Sequence, residues 1–218
     1  MSEVIVYGVP GSPYVRSALL GFEEKGAPYR LHALGLGEEK TPAHLARHPF
    51  GRVPTIDHDG FALYETQAII RYVDAAFAGP ALQPREAQAT ARMNQLIGIV
   101  DWYFFHQVTA VISFNRLLAP LLGKTPDEAA VTAAIPKATT CLDALEQLKG
   151  NNRFLAGSDI SIADLMLAPQ LATFTLTPEG QHLLPGRALE DWLAMMNERP
   201  SMQATTRERL LAREPVAA

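Results

Sequence analysis

The sequence predicts a two-domain α+β chain, a small α/β unit followed by an all-helical one. Three observations carry this. Short β-branched stretches alternate with amphipathic helical patterns up to about residue 78, and almost everything after that has helical spacing. A helix-incompatible run, Gly79-Pro80-Ala81-Leu82-Gln83-Pro84, stands where the character changes. A chain of 218 residues, 48% of them hydrophobic, has enough apolar side chain for one large core or two smaller ones. The boundaries assigned are 1–78 for the first domain, 79–86 for the linker and 87–218 for the helical domain.

The first strand is Val4-Ile5-Val6-Tyr7, followed by a loop over Gly8–Gly11. A helix over Pro13–Lys25 has Val15, Ala18, Leu19 and Phe22 on one face and Gly26 as its stop. A second strand covers Tyr29–Leu34, and a short helix follows around Pro42–Arg47. Thr55–Asp57 and Phe61–Leu63 are strands joined by Asp59-Gly60, a strong hairpin signal. Thr66–Ala76 is a helix with Ala68, Ile69, Tyr72 and Val73 as its stripe. The order β-α-β-α-β-β-α is that of a thioredoxin-like domain, although other small α/β domains share it. Beyond the linker, helices are expected over Glu86–Leu118, Asp127–Leu148, Ile162–Phe174, Leu189–Asn197 and Met202–Ala212. Ser161-Ile162-Ala163-Asp164 has the form of a capping box, a folding signal rather than a catalytic one.

Composition narrows the function classes. A formal net charge of -4 gives no electrostatic reason to expect a nucleic-acid partner. No uninterrupted apolar run approaches the roughly 20 residues that span a bilayer, and Met1-Ser2-Glu3-Val4 lacks the basic, then apolar, start of a secretion signal. A cytoplasmic protein with no membrane partner is the expectation. The single cysteine, Cys141, has no second thiol for exchange and lies in an apolar helical pattern, so thiol chemistry must draw its sulfur from elsewhere. The histidines His32, His44, His48, His58, His106 and His182 show no metal-ligand spacing, and no metal is expected.

Three short segments carry possible chemistry. In Gly11-Ser12-Pro13, Ser is a preferred N-cap and Pro a preferred first helical residue, so a helix begins there. A helix N-terminus lowers the pKa of a thiol placed on it, and the Ser12 hydroxyl adds a donor; the plain alternative is a cap and nothing more. In Gly51-Arg52-Val53-Pro54-Thr55, a cis Val53–Pro54 bond would turn the Val53 main chain outward to pair with an extended peptide; an ordinary loop proline fits equally. In Tyr64-Glu65-Thr66, Glu65 can accept from an α-ammonium group while the Thr66 hydroxyl and N–H hold an α-carboxylate at a helix start; a capped helix explains the same residues.

Each segment is weak alone, but their order and spacing are specific. Ser12-Pro13-Tyr14-Val15-Arg16, His48-Pro49-Phe50-Gly51-Arg52-Val53-Pro54 and Leu63-Tyr64-Glu65-Thr66-Gln67-Ala68-Ile69, with the Ser161–Asp164 box and the Arg199-Pro200-Ser201 ending, make the chain resemble the cytosolic glutathione transferase superfamily over nearly its whole length. It is most similar to the serine-type classes, with phi-like features around Pro120–Gly123. The resemblance implies glutathione as co-substrate and conjugation of its thiolate to an electrophilic, apolar or aromatic substrate. Ser12 would activate the sulfur. Val53, with Pro54 cis, would hold the cysteinyl backbone. Glu65 and Thr66 would hold the γ-glutamyl group, Lys40 the glycine carboxylate, and Arg52 would add a basic contact. Glu39 stands where some phi-like members have His, and His48 replaces the usual Asn. A homodimer is also implied, with Phe50, Arg71 and Tyr72 as interface candidates.

Rival readings remain open. Tyr7 lies where other classes place a tyrosine donor. In Trp102-Tyr103-Phe104-Phe105-His106, Trp102 and His106 share a helix face; the resemblance places this helix beside the second-substrate pocket, which makes Trp102, Tyr103 and His106 its candidates, while core or dimer packing explains them equally. The alternatives to conjugation are a glutathione- or ligand-binding scaffold and a glutathione-dependent peroxidase.

Overall fold

The computed structural model describes residues 3–212; the ends of the two assigned domains, at residues 1 and 218, and the Met1-Ser2 start fall outside them. The chain forms two compact units. One holds residues up to Gln83 together with those from Asn197 onward, and the other is Pro84–Met196.

In the first unit, β1 (Val4–Gly8), α1 (Pro13–Lys25), β2 (Tyr29–Ala33), α2 (Pro42–Leu45), β3 (Thr55–His58), β4 (Phe61–Tyr64) and α3 (Thr66–Ala76) follow the expected order. The sheet runs β2-β1-β3-β4, with β1 parallel to β2 and antiparallel to β3. Alternation along β1 sends Val4 and Val6 to one face, where they pack with Val15, Ala18, Leu19 and Phe22 of α1 and Ile69 and Val73 of α3. Burial of this set is the main term stabilising the unit. At the β3–β4 hairpin, Asp59 (φ 54) and Gly60 (φ 84) both take positive φ, as a type I′ turn requires.

Two ion pairs tie this unit's outer pieces to its helices. Lys25 Nζ on α1 reaches Asp74 of α3 at 3.0 Å and the Pro80 carbonyl at 2.9 Å. Arg199 grips Glu24 of α1 through two nitrogens, and Arg16 Nη2 donates to the Met202 carbonyl at 2.8 Å. These bonds explain why the stretch from Asn197, assigned from sequence to the helical domain, packs with the first unit. Its single expected helix over Met202–Ala212 is two, α9 (Pro200–Ala204) and α10 (Arg207–Ala212).

The second unit contains α4 (Ala87–Ile99), which continues as a wider, i→i+5 bonded helix over Val100–Leu118. α5 (Glu128–Lys149), α6 (Ile162–Phe174), α7 (Pro178–Leu183) and most of α8 (Ala188–Asn197) complete it. The continuous helix Ala87–Leu118 has 32 residues and is long and apolar enough to cross a membrane. Asp101, His106, Asn115 and Arg116 stand among its apolar residues. Here the helix packs against α5 and α6 within its unit, the place of a core helix. The α7 helix went unpredicted, although Thr177-Pro178 is the same cap-and-proline start as Ser12-Pro13.

The Ser161 box is more than a cap. Asp164 is wholly buried, and its carboxylate accepts from Ser161 N (2.9 Å), Ser161 Oγ (2.9 Å), Leu155 N (2.8 Å) and Trp192 Nε1 (3.1 Å). Burial pushes this carboxyl up, against the pull of those donors. It thereby joins the start of α6, the preceding loop and α8. Replacing Asp164 by Ala strands three buried N–H donors and should cost about 3–5 kcal/mol in urea unfolding.

Glu24 adds a pH dependence. Burial disfavours its charge, but bonds from Arg199 and Ser201 outweigh that and hold its carboxyl below the ordinary carboxylate value. A depressed folded-state value stabilises the fold above the ordinary range, and that contribution is lost as pH falls through the folded value. Arg199→Gln should therefore lower the melting temperature at neutral pH, and the difference from wild type should shrink in acid.

Candidate functional site

Sheet register gathers the candidate residues. Tyr7 of β1 pairs with Thr55 of β3, Thr55 pairs with Tyr64 of β4, and Gly8 pairs with Ala33 of β2. One end of the sheet therefore receives the loop from β1 to Ser12, the loop from β2 toward Lys40, the entry to β3 at Val53-Pro54, and the exit from β4 at Glu65-Thr66. Four segments separated by up to 54 positions in the chain converge because two strands run toward this end, β3 starts there and β4 finishes there.

Ser12 caps α1 with extended dihedrals (φ -67, ψ 125), and its oxygen accepts from Val15 N at 3.4 Å. A hydroxyl that accepts from its own helix keeps its hydrogen for an outside acceptor. The residue is half-buried, and it stands at the N-terminal, positive end of the α1 dipole. Gly8 sets the height of this turn: a Cβ there would lie 2.6 Å from Val15 Cγ2. Tyr7 has a different environment. Alternation puts it on the sheet face away from Val4 and Val6, with its ring 5.1 Å from that of His32 and the Arg47 guanidinium 4.3 Å from its centre.

The Gly51–Pro54 loop is gripped from behind. Val53–Pro54 is cis, Pro54 is buried, Val53 is half-buried and Arg52 is exposed. Lys40, exposed at the end of a short 3₁₀ turn, donates to the Gly51 carbonyl at 2.7 Å. An ammonium has three hydrogens, so this bond leaves two for a ligand. His44 of α2 bonds the Arg52 carbonyl through Nε2 at 2.7 Å. No sequence signal marked His44 out, because its aim depends on the chain returning over α2 eight residues later. His48 is buried beside it, and burial first, then the nearby His44 ring and the Arg52 and Lys40 cations, push its imidazole below the ordinary histidine value.

Glu65 and Thr66 close the set. Glu65 is exposed yet holds φ 73, ψ 115, a region that costs a non-glycine residue about 1–3 kcal/mol. Its carbonyl accepts from Ile69 N at 2.9 Å to start α3, and buried Thr66 is the first helical residue. The strain was invisible in sequence, since glutamate gives no warning of a positive φ. The sheet end therefore carries cations, Lys40 and Arg52, on the β2 and β3 approaches and an anion, Glu65, beside a helix start on the β4 exit.

The aromatic candidates belong to the second unit. Trp102 is 73% exposed and Tyr103 61%, and the Trp102 and His106 rings lie 6.1 Å apart on one helix face. Phe104 turns the other way and meets Phe174 edge-on in the core. Cys141 is buried in α5, and burial pushes its thiol up, away from nucleophilic use. Among the described residues, no group of three or more His, Cys, Asp or Glu is placed to hold a metal ion.

Comparison with known proteins gives the family. The family model "Glutathione S-transferase, N-terminal domain" matches residues 6–81, and "Glutathione S-transferase, C-terminal domain" matches residues 128–194. Glutathione S-transferase F12 of Arabidopsis thaliana is 31% identical over 203 residues, covering 91% of this chain and 94% of its own. Poplar glutathione transferase F1 superposes with a TM-score of 0.86 at 28% identity, covering 97% of this chain and all of its own. Glutathione S-transferase I from maize, solved with an atrazine glutathione conjugate, superposes with a TM-score of 0.85 at 25% identity over 98% of this chain and all of its own. With both halves of its fold and the greater part of its sequence accounted for in this way, the chain belongs to the glutathione S-transferase family.

Proposed function

We propose that the protein is a glutathione transferase in which Ser12 holds the glutathione sulfur as a thiolate for attack on an electrophilic carbon. The observation that carries this is the Ser12 hydroxyl, which accepts from Val15 N and keeps its own hydrogen at the sheet end where Val53 and Glu65-Thr66 also arrive. A free thiol titrates at about 8.5. One hydroxyl donor and the positive end of the α1 dipole favour the anion, and a downward shift of about one to two units makes it the main species at neutral pH.

The rest of the tripeptide matches the charges along that end. The Val53 main chain pairs with the cysteinyl backbone as an added strand does. Lys40 and Arg52 receive the glycine carboxylate. Glu65 accepts from the γ-glutamyl ammonium, and Thr66 at the head of α3 takes its carboxylate. The thiolate forms the new C–S bond as the leaving group departs with the bonding pair, so no redox partner is needed. For an aryl chloride that group is chloride. Trp102, Tyr103 and His106 offer the second unit's exposed aromatic face to an apolar electrophile. The maize relative's bound atrazine glutathione conjugate supports this class of substrate. A homodimer through the face carrying exposed Phe50, with Arg71 and Tyr72, and a cytoplasmic location complete the proposal.

Ser12→Ala should lower kcat/KM with 1-chloro-2,4-dinitrobenzene on the order of 100-fold, with glutathione affinity little changed. Retention of glutathione by the wild type without turnover of that substrate or of an organic hydroperoxide would instead make it a binding protein. A Tyr7→Phe loss exceeding that of Ser12→Ala would transfer the donor role to Tyr7.

Glu65→Gly separates stability from binding. Glycine tolerates φ 73, so the variant should unfold at urea concentrations equal to or above wild type. Its glutathione Kd, measured by calorimetry, should rise at least about tenfold through loss of a charged contact.

A further inference from the structure

We propose that His44 is a positioning residue for glutathione: it fixes the Arg52 carbonyl and thereby the Val53 main chain that the tripeptide meets. The inference rests on the proposed function for its ligand.

His44 lies on α2, whose start is capped by Thr41, and it is 1% exposed. Its Nε2 is 2.7 Å from the Arg52 oxygen. A carbonyl oxygen can only accept, so Nε2 carries the hydrogen and donates it. Nδ1 is then buried without a partner. An unpaired buried acceptor is unfavourable, and an apolar ring of similar size would fill the space without it. An imidazole is therefore justified at this position by its Nε2–H, and the group that hydrogen holds is the residue before Val53.

The hold is reinforced on either side. The preceding carbonyl, that of Gly51, accepts from Lys40. Gly51 has φ 57, and a Cβ there would meet Lys40 Nζ at 2.9 Å and the Glu39 carbonyl at 3.1 Å. Two successive carbonyls are thus pinned by side chains four residues apart in the chain, Lys40 and His44. The His44 ring also stacks on His48, centroids 6.4 Å apart with 26° between planes, and His48 lies 4.5 Å from the ring of Tyr64, the residue before Glu65. The buried rings connect the loop that presents Val53 to the turn that presents Glu65, so His44 sets both spacing and orientation of the peptide-contacting segments.

The test compares His44→Gln, which can place an amide N–H where Nε2–H was, with His44→Ala and the shorter His44→Asn. Without glutathione, hydrogen exchange in the 50–55 segment should speed up in the Ala and Asn variants, with the rest of the first unit unchanged, and stay near wild type in Gln. With glutathione, Ala and Asn should raise Kd and KM for glutathione about three- to tenfold, while kcat at saturation stays within about twofold. Gln should recover most of the affinity. Unchanged exchange and affinity in His44→Ala, or a Gln variant as weak as Ala and Asn, would overturn the inference. Wild-type protein that fails to bind glutathione would overturn the proposed function and the ligand named here. The exchange measurement separates that failure from a failure of His44 to hold the loop.

Discussion

The missing side chain at Gly8 is the constraint on which the site depends. Any Cβ there would lie 2.6 Å from Val15, so only glycine lets the first turn of α1 rest directly on the end of β1. Val15 serves twice: its side chain is fully buried in the core of the first unit, and its N–H donates to the Ser12 oxygen. Packing that stabilises the fold therefore also sets the height and direction of the hydroxyl. β1 cannot shift to relieve pressure at this point, because β2 and β3 hold it on both edges. Ser12 is thus placed by the least adjustable part of the unit.

Around that fixed point the same end of the sheet gathers irregular backbone and buried polar groups. Gly11 and Gly51 take positive φ, and so does Glu65, which has a side chain to accommodate. His44 and His48 are buried with unpartnered Nδ1 atoms. By contrast, the opposite hairpin end uses Asp59-Gly60 in the turn such a pair favours. Local preference and tertiary structure agree along the core and part company where a ligand is proposed to bind, as expected when residues are held for chemistry rather than for stability.

This contrast also explains what was legible in sequence. The helix spans Pro13–Lys25, Thr66–Ala76 and Ile162–Phe174 follow from caps, a proline start and apolar spacing, all local signals. The hairpin and the resemblance carried by Ser12, Val53-Pro54 and Glu65-Thr66 were legible for the same reason. Features that depend on distant segments meeting were not. His44 gains meaning only when Arg52 returns to it, and the tail from Asn197 joins the first unit through Arg199 and Glu24, 175 positions apart. The i→i+5 bonding of Val100–Leu118 leaves no mark that apolar spacing reveals, since Trp102 and His106 still share a face. The missed α7 is a different case: its Thr177-Pro178 start was readable, but the helix is only six residues long, too short for periodicity to register.

The most direct measurement is the ultraviolet thiolate absorbance of glutathione titrated with pH while bound to the wild-type protein. The account predicts an apparent sulfur pKa about one to two units below the value of about 8.5 for a free thiol, so that the bound sulfur is largely anionic at neutral pH. A bound thiol that titrates at the free value would contradict it, for then the cap of α1 would hold the sulfur without favouring its charge.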